Sequence, residues 1–273
     1  MLDLLRTRLG QGIRTIRFPP SEPGLPPRFR GRPRVEGAAL GHAELPVFDL
    51  GKCLFSPDEA GDQPAGQVSF TQDYRMASRT REGLVTATGE LERVAALDSS
   101  MRKLLGRSLR LRSVSAGSCN GCEAELVALG NVVFDLARFG VQFVASPRHA
   151  DGIVITGAIS RNMEEALVRT YEAVPDPRLV IAVGACACSG GPFQDGNEVL
   201  NGVPESIPVD LWIPGCPPHP LTILDGLLAL LGQDRPLTEG NSPVGPSANS
   251  ASSKDSSSSP GEKVSPNGDA AIR

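Results

Sequence analysis

The sequence is poor in aromatic residues and has no long apolar run. Phe, Trp and Tyr together make up 4% of the 273 residues, whereas 40% are hydrophobic, so any core must be packed mainly from aliphatic side chains. A transmembrane helix needs about 20 consecutive apolar residues, and because no such run occurs we expect no transmembrane segment. The N-terminus also lacks the apolar stretch of a secretory signal.

The charge balance and the cysteine count argue against two further classes of protein. With a net charge of −4 and an isoelectric point near 5.5, the chain gives no electrostatic reason to expect a nucleic-acid partner. Its six cysteines are too few and too unevenly placed for a small secreted disulfide scaffold. Five of them lie between positions 119 and 216 in loops rich in glycine or proline, which suits metal ligation in a reducing compartment.

Uneven composition predicts five segments. Residues 1–36 combine a short amphipathic helix with an arm rich in proline and arginine, and residues 37–95 show little periodicity. Residues 96–108 form a polar, basic linker, and residues 109–232 alternate between apolar strands and helices. Residues 233–273 are dominated by Ser, Pro, Gly, Asn and Asp, and we expect this tail to be disordered because it cannot bury enough apolar surface.

The predicted N-terminal helix has an apolar face and basic residues beside it. The apolar residues are Leu2, Leu4, Leu5, Leu9 and Ile13, and the basic ones are Arg6, Arg8 and Arg14. Two interpretations stay open for this helix. It packs on a partner or on its own domain, or it contacts a membrane surface.

Periodicity in residues 109–232 predicts a flavodoxin-like α/β fold. Apolar or alternating runs predict strands, and apolar residues at helical spacing predict helices. The predicted strands are 109–115, 141–145, 152–156, 179–183 and 210–213, and the predicted helices are 124–139, 161–174 and 217–231. This alternation indicates a three-layer architecture around a mostly parallel sheet.

Three cysteine motifs follow predicted strands. They are Ser-Cys-Asn-Gly-Cys-Glu with Cys119 and Cys122, Gly-Ala-Cys-Ala-Cys-Ser-Gly-Gly with Cys186 and Cys188, and Pro-Gly-Cys-Pro-Pro-His-Pro with Cys216. Because the loops that follow parallel strands share one edge of a sheet, we expect these thiols to meet. Four ligands are needed and five thiols are available. We choose Cys119, Cys122, Cys186 and Cys216, with Cys188 as the rival of Cys186.

Spacing alone leaves three kinds of site open. A cubane iron–sulfur cluster takes four thiolates, and we favour it. Structural zinc also takes four cysteines, but zinc ribbons usually supply two close pairs, whereas Cys186 and Cys216 are predicted as single ligands after buried strands. The Cys-Asn-Gly-Cys turn could also be a dithiol redox motif, which leaves Cys186 and Cys216 unexplained.

The cysteine motifs resemble those of the small subunit of nickel–iron hydrogenases and of the related B subunit of respiratory complex I. The resemblance rests on the three motifs and Gly157 and covers nearly all of residues 109–232. It implies that Cys119, Cys122, Cys186 and Cys216 bind one 4Fe–4S cluster. It also implies a redox subunit of an oxidoreductase complex that transfers electrons and has no catalytic residue of its own.

The first motif and the length indicate the branch of this family. Asn120 and Gly121 separate Cys119 from Cys122, as in hydrogenases, whereas complex I B subunits have adjacent cysteines. The short form is similar to group 4 membrane-bound hydrogenases, including formate hydrogenlyase. The expected partners are a nickel–iron hydrogenase-type large subunit and the membrane-anchoring and other subunits of the complex, with the chain peripheral on the cytoplasmic side of the cell membrane. The alternative is a complex I-like B subunit that passes electrons to quinone without H₂ chemistry.

Residues 37–95 resemble a two-cluster ferredoxin domain of the kind found beside hydrogenases. The likeness rests on the basic, Pro-rich lead-in and on Phe70-Thr-Gln-Asp-Tyr-Arg-Met-Ala77. Of the cysteines in such a domain only Cys53 remains, and one thiolate cannot hold a cubane cluster. The resemblance therefore implies an irregular α+β ferredoxin-like extension that has lost its clusters and kept a docking role, with Cys53 as a buried thiol.

Overall fold

The computed structural model describes residues 2–18, 24–35, 48–57, 68–87, 90–105 and 108–233. The predicted disordered tail, apart from Gln233, lies outside these residues, and so do parts of the predicted ferredoxin-like segment. Both of those predictions therefore stay predictions. Within the described ranges, no helix is long and apolar enough to cross a membrane.

Short elements make up the described N-terminal part. Helix α1 spans Leu2–Gln11. Four strands follow, which are β1 (Pro33–Val35), β2 (Phe48–Asp49), β3 (Val68–Phe70) and β4 (Val85–Thr86). Strand β1 pairs with β3 and β2 pairs with β4, both in antiparallel register. The described N-terminal part thus contains two short antiparallel strand pairs.

A helix that was not predicted lies in the expected linker. Helix α2 spans Ser99–Leu105. The Asp98 carboxylate precedes it and accepts hydrogen bonds from the backbone N–H groups of Ser100 and Met101, as a helix N-cap does. A hydrogen bond from the Ser100 hydroxyl, together with these backbone bonds, holds the pKa of Asp98 below its ordinary value.

Five parallel strands form the central sheet. They are β5 (Leu109–Ser115), β6 (Val141–Phe143), β7 (Gly152–Thr156), β8 (Leu179–Val183) and β9 (Leu211–Ile213). Their order across the sheet is β6-β5-β7-β8-β9, and every neighbouring pair is parallel. Because the second strand in the chain lies outside the first, this is the flavodoxin-like order. The predicted fold class is therefore confirmed for the sheet.

Helices cover both faces of the sheet. They are α3 (Gly121–Ala128), α4 (Arg161–Glu172), α5 (Ala185–Ser189) and α6 (Pro220–Leu230). Leu126 of α3 and the leucines of α6 share a core with Val154 and Ile181, whereas Leu167 of α4 shares a separate core with Ile153. All five residues of β7 and of β8 are buried, which is why both strands read as unbroken apolar runs.

The prediction of one helix from residue 124 to residue 139 was wrong. Helix α3 ends at Ala128, and only a short 3₁₀ turn at Leu136–Phe139 resumes helical structure. The Asn131 side-chain carbonyl accepts the backbone N–H groups of Val133 and Phe134, which offers the chain a turn in place of the helix ladder. The spacing of the leucines and valines does not reveal that the Asn131 turn competes with the helix.

The described residues before position 109, called the N-terminal segment below, pack against the sheet domain of residues 109–232. Ser78 and Trp212 exchange two backbone hydrogen bonds of 2.9 and 2.8 Å, so the segment extends the sheet beyond β9 by one bridge. The Leu97 N–H donates to the Leu230 carbonyl at 2.9 Å. A third apolar cluster joins the two parts, because it contains residues of the segment together with Cys188.

Candidate metal centre

The three cysteine motifs lie at the carboxyl edge of the parallel sheet. Each follows the end of a strand, namely β5, β8 or β9. Backbone bonds hold two of the loops together, because Gly184 N–H donates to the Ile213 carbonyl and Ala185 N–H donates to the Gly215 carbonyl, both at 2.8 Å. The loops of Cys186 and Cys216 are therefore fixed side by side, as the parallel topology predicts.

Glycines leave room for the thiols where the loops meet. A Cβ atom placed on Gly184 would lie 2.5 Å from the Cys122 sulfur, and one placed on Gly191 would lie 2.9 Å from the Cys186 sulfur. Gly184 also has a φ of +92°, which L side chains rarely adopt. Any larger residue at Gly184 would thus displace Cys122.

The four chosen thiols influence one another electrostatically. Burial is the main cause that raises the pKa of Cys122, and negative charge on Cys186, Cys216 and Cys119 raises it further. Burial likewise raises the pKa of Cys186 to about 11, with Cys216 and Cys119 adding to the effect. Cys122 and Cys186 therefore resist ionisation, and a bound cationic centre is what would stabilise them as thiolates.

These thiols are neighbours and differ in exposure. Cys122 and Cys186 are 8% and 7% exposed, Cys216 is half-buried, and Cys119 is exposed. In the described part of the chain, no three histidine, cysteine or carboxylate side chains stand close enough together to hold a metal ion. The sulfurs would therefore have to turn toward a common point to act as ligands of one centre.

Cys188 lies in a different environment from Cys186. It belongs to an apolar cluster with Leu50, Cys53 and Met76 of the N-terminal segment. Burial raises its pKa to about 12, and Arg81 opposes that rise. Cys53 is also buried, as expected, and its sulfur accepts a hydrogen bond of 3.2 Å from the Phe55 N–H.

Arg81 connects the N-terminal segment to the end of α5. Its Nη1 and Nη2 atoms each donate to the Asp49 carboxylate at 2.8 Å, and its Nε donates to the Cys188 carbonyl at 3.0 Å. Burial acts to lower the pKa of Arg81, but the Asp49 carboxylate outweighs it and the pKa is raised. The Ser189 hydroxyl adds a bond of 2.8 Å to the Gly51 carbonyl. Arg81 was not predicted, since no local pattern marks a contact 107 residues away.

Glu123 connects the first cysteine loop to β7. Its Oε1 accepts hydrogen bonds from the Ser118 hydroxyl at 2.6 Å and the Thr156 hydroxyl at 2.5 Å. Burial acts to raise the pKa of Glu123, but these bonds outweigh it and the pKa lies below its ordinary value. Its Oε2 is buried without a hydrogen-bond partner among the described residues. The carboxylate thus stays ionised beside the thiols.

The Pro- and Arg-rich arm lies next to the third motif. The Phe29 ring contacts the His219 ring edge-on, with ring centroids 5.4 Å apart. His219 itself accepts the Leu221 N–H at Nδ1 and caps α6, so it is engaged as a helix cap. A cavity of about 520 Å³ lies between the arm and the third motif, and its lining includes Arg28, Glu125 and Cys216. Burial raises the pKa of Glu125.

Comparison with known proteins identifies the family. Residues 119–230 match the family described as NADH ubiquinone oxidoreductase, 20 Kd subunit. Formate hydrogenlyase subunit 7 of Escherichia coli is 43% identical over 141 residues, which span 52% of this chain and 55% of that protein. The match to that relative therefore covers little more than half of its length.

Two further relatives are covered over more of their length. A probable membrane-bound hydrogenase subunit of Pyrococcus furiosus is 38% identical over 159 residues, which span 58% of this chain and 95% of that protein. The B subunit of the NADH-quinone oxidoreductase of Citrifermentans bemidjiense is 49% identical over 121 residues, which span 44% of this chain and 69% of that protein. The chain belongs to the NADH ubiquinone oxidoreductase 20 kDa subunit family, and the relatives named above are subunits of oxidoreductase complexes.

Proposed function

We propose that this protein is the electron-transfer subunit of a membrane-associated nickel–iron hydrogenase or formate hydrogenlyase-like complex. One 4Fe–4S cluster would be held by Cys119, Cys122, Cys186 and Cys216 next to the catalytic large subunit. The observation that carries the proposal is the convergence of the three cysteine loops at one edge of the sheet, with glycines at the points of closest approach.

The residues present fit such a cluster. The donor set is four thiols, which is the set a cubane cluster takes. Gly184 has no Cβ, and this absence lets the Cys122 sulfur lie against the loop that carries Cys186. When bound, the cluster supplies one-electron transfer, and the protein sets its potential through burial and hydrogen bonds. The buried Cys122 and Cys186 provide the low-dielectric side, and the ionised Glu123 adds negative charge there.

The exposed side of the site is where a catalytic partner would dock. Cys119 and Asn120 are exposed and Cys216 is half-buried, so electrons have a short path from this face into a partner. The nickel site of a hydrogenase large subunit needs two Cys-x-x-Cys pairs, one at each end of that subunit. This sequence contains one such pair, Cys119 and Cys122, and we assign it to the cluster. H₂ chemistry would therefore belong to the partner. With subunits that anchor it, the complex would sit on the cytoplasmic side of the cell membrane.

A second candidate is a complex I-like B subunit that passes electrons to quinone without H₂ chemistry. It is favoured by the 49% identity to the B subunit of an NADH-quinone oxidoreductase. The separation of Cys119 from Cys122 by two residues favours the hydrogenase branch instead. The two candidates differ in the partner, because only a hydrogenase large subunit holds nickel.

Metal and acid-labile sulfide analysis of anaerobically purified protein tests the cluster. We expect about four iron and four sulfide per chain, with a cubane signal in electron paramagnetic resonance after dithionite reduction. Zinc without sulfide would contradict the proposal and leave a structural site. Nickel in the complex isolated through this chain would support the hydrogenase assignment, whereas iron without nickel would favour the second candidate.

A further inference from the structure

Helix α1 presents its side chains to the surroundings. None of its ten residues is buried. Leu2 is 74% exposed, Leu9 is 83% exposed, and Ile13 just beyond the helix is 82% exposed. Single exposed leucines are ordinary, but a group of large apolar side chains on one short element marks an interaction surface. The described part of this chain does not cover that surface.

Three of the four leucines of α1 form one stripe with arginines on both sides, and Leu4, which the sequence pattern placed on the same face, lies outside this stripe. At about 100° per residue, Leu2, Leu5 and Leu9 fall within an arc of about 60°. Arg6 lies about 40° beyond one border of this arc and Arg8 about 60° beyond the other. Leucines flanked by cations are typical of helices that lie in a lipid–water interface, where the apolar face enters the lipid and long basic side chains reach the headgroups.

The charge of this region is opposite to that of the whole chain. Residues 1–36 contain eight arginines and three acidic residues, which gives +5 in a chain of net charge −4. Four of these arginines, at positions 6, 8, 14 and 17, lie in or directly after α1. A local excess of positive charge favours an anionic surface.

The segment after α1 is bound to the body of the protein. The Thr15 hydroxyl donates to the Val132 carbonyl at 2.8 Å, and the Ile16 N–H donates to the Val133 carbonyl at 3.0 Å. The Arg138 guanidinium donates to the Ile16 carbonyl at 2.9 Å. Val132 is 62% exposed beside this attachment. The stripe is thus joined by a short connection to a fixed point on the domain, where another apolar side chain is exposed.

We propose that α1 docks on an anionic lipid surface and attaches this subunit peripherally to the membrane. The stripe supplies apolar contact, and the flanking arginines supply attraction to acidic headgroups. An acidic protein surface would satisfy the charges, but the placement of cations on both sides of a narrow leucine stripe fits an interface between lipid and water better. The proposal shares the membrane location with the proposed function but does not involve the thiols, so either can fail alone.

Vesicle flotation with the full-length protein tests the proposal. The probes are vesicles of phosphatidylcholine alone and of phosphatidylcholine with an equal amount of phosphatidylglycerol. We expect the protein to float with the anionic vesicles, and less so as salt is raised. The double substitution Arg6→Gln and Arg8→Gln should weaken binding by about fivefold per arginine, or about 25-fold in all.

A matched pair of leucine variants isolates the apolar stripe. Leu9→Gln removes a leucine from the stripe and should weaken binding about tenfold. Leu4→Gln makes the same change about 100° from the nearer border of the stripe, where Leu4 is 68% exposed, and should leave binding unchanged. Neither substitution touches the cysteine loops, so the iron content should stay that of the unmodified protein.

Three outcomes would overturn the proposal. The first is a failure of the unmodified protein to float with anionic vesicles. The second is an equal loss of binding in the Leu9 and Leu4 variants. The third is unchanged vesicle binding in Leu9→Gln combined with loss of a partner subunit during purification, which would assign the stripe to a protein interface.

Discussion

The two cysteines of α5 lie two residues apart and have opposite surroundings. Cys186 faces Gly191 and shares its electrostatic environment with three other thiols. Cys188 packs among apolar residues of the N-terminal segment, and Arg81 bonds to its carbonyl. Residues two apart on a helix point about 200° from each other, so one side of α5 faces the site and the other faces the covering segment. The role of a cysteine here depends on which side of one short helix it occupies.

On the side of α5 that the N-terminal segment covers, the substitution with the largest effect on stability should be that of Arg81. Arg81→Met leaves Asp49 without its two short hydrogen bonds and frees the Cys188 carbonyl. Because both side chains are 23% exposed, solvent compensates in part, and we expect a loss of about 1–3 kcal/mol in the free energy of unfolding. Urea denaturation measures this loss.

Arg178 supplies a control with nearly the same geometry. It donates two hydrogen bonds to Asp176 and one to the Tyr171 carbonyl, but Asp176 is 76% exposed. Arg178→Met should therefore cost less than Arg81→Met. An equal cost for the two variants would show that Arg81 does not hold the segment against α5.

A second ion pair on the N-terminal segment should make stability depend on pH. Arg93 pairs with Asp225 of α6 at 3.2 Å. Burial raises the pKa of Asp225 to about 6, against the action of Arg93, from an ordinary value of 3.8. Between these values the unfolded chain releases a proton that the folded chain keeps, so the contribution of Asp225 is greatest below about pH 4 and falls until about pH 6.

The variant Asp225→Asn tests this dependence. It should gain about 2–3 kcal/mol relative to the unmodified protein as the pH rises from 4 to 7, because the amide has no charge to desolvate. Parallel unfolding experiments on both proteins across this range measure the difference. A difference in the free energy of unfolding that does not change with pH would mean that Asp225 titrates as an exposed carboxylate does.

Much of the fold could be predicted because local pattern and tertiary role agree. Strands β5, β7 and β8 have the predicted bounds, since buried parallel strands leave continuous or alternating apolar runs. Helix α3 was predicted too long because Asn131 forms a side-chain turn that periodicity does not register. Helix α2 was missed because its residues are mostly polar and only Leu105 is buried.

The arrangement of the cysteine loops was predictable for a topological reason. Loops after parallel strands must share one edge, so motifs distant in sequence become neighbours. The packing of the N-terminal segment over Cys188 could not be predicted. It depends on Arg81 and Asp49, which lie more than 100 residues from Cys188 in the sequence. The contact of Phe29 with His219 is likewise long-range and has no local signal.

Iron content in a matched pair of cysteine variants tests the proposed ligand set most directly. Cys186→Ala and Cys188→Ala remove equally buried thiols from the same helix, so general destabilisation should be similar. We expect Cys188→Ala to keep about four iron per chain and the reduced cubane signal, whereas Cys186→Ala should lose both. Retention of iron in Cys186→Ala together with its loss in Cys188→Ala would contradict the proposed ligand set.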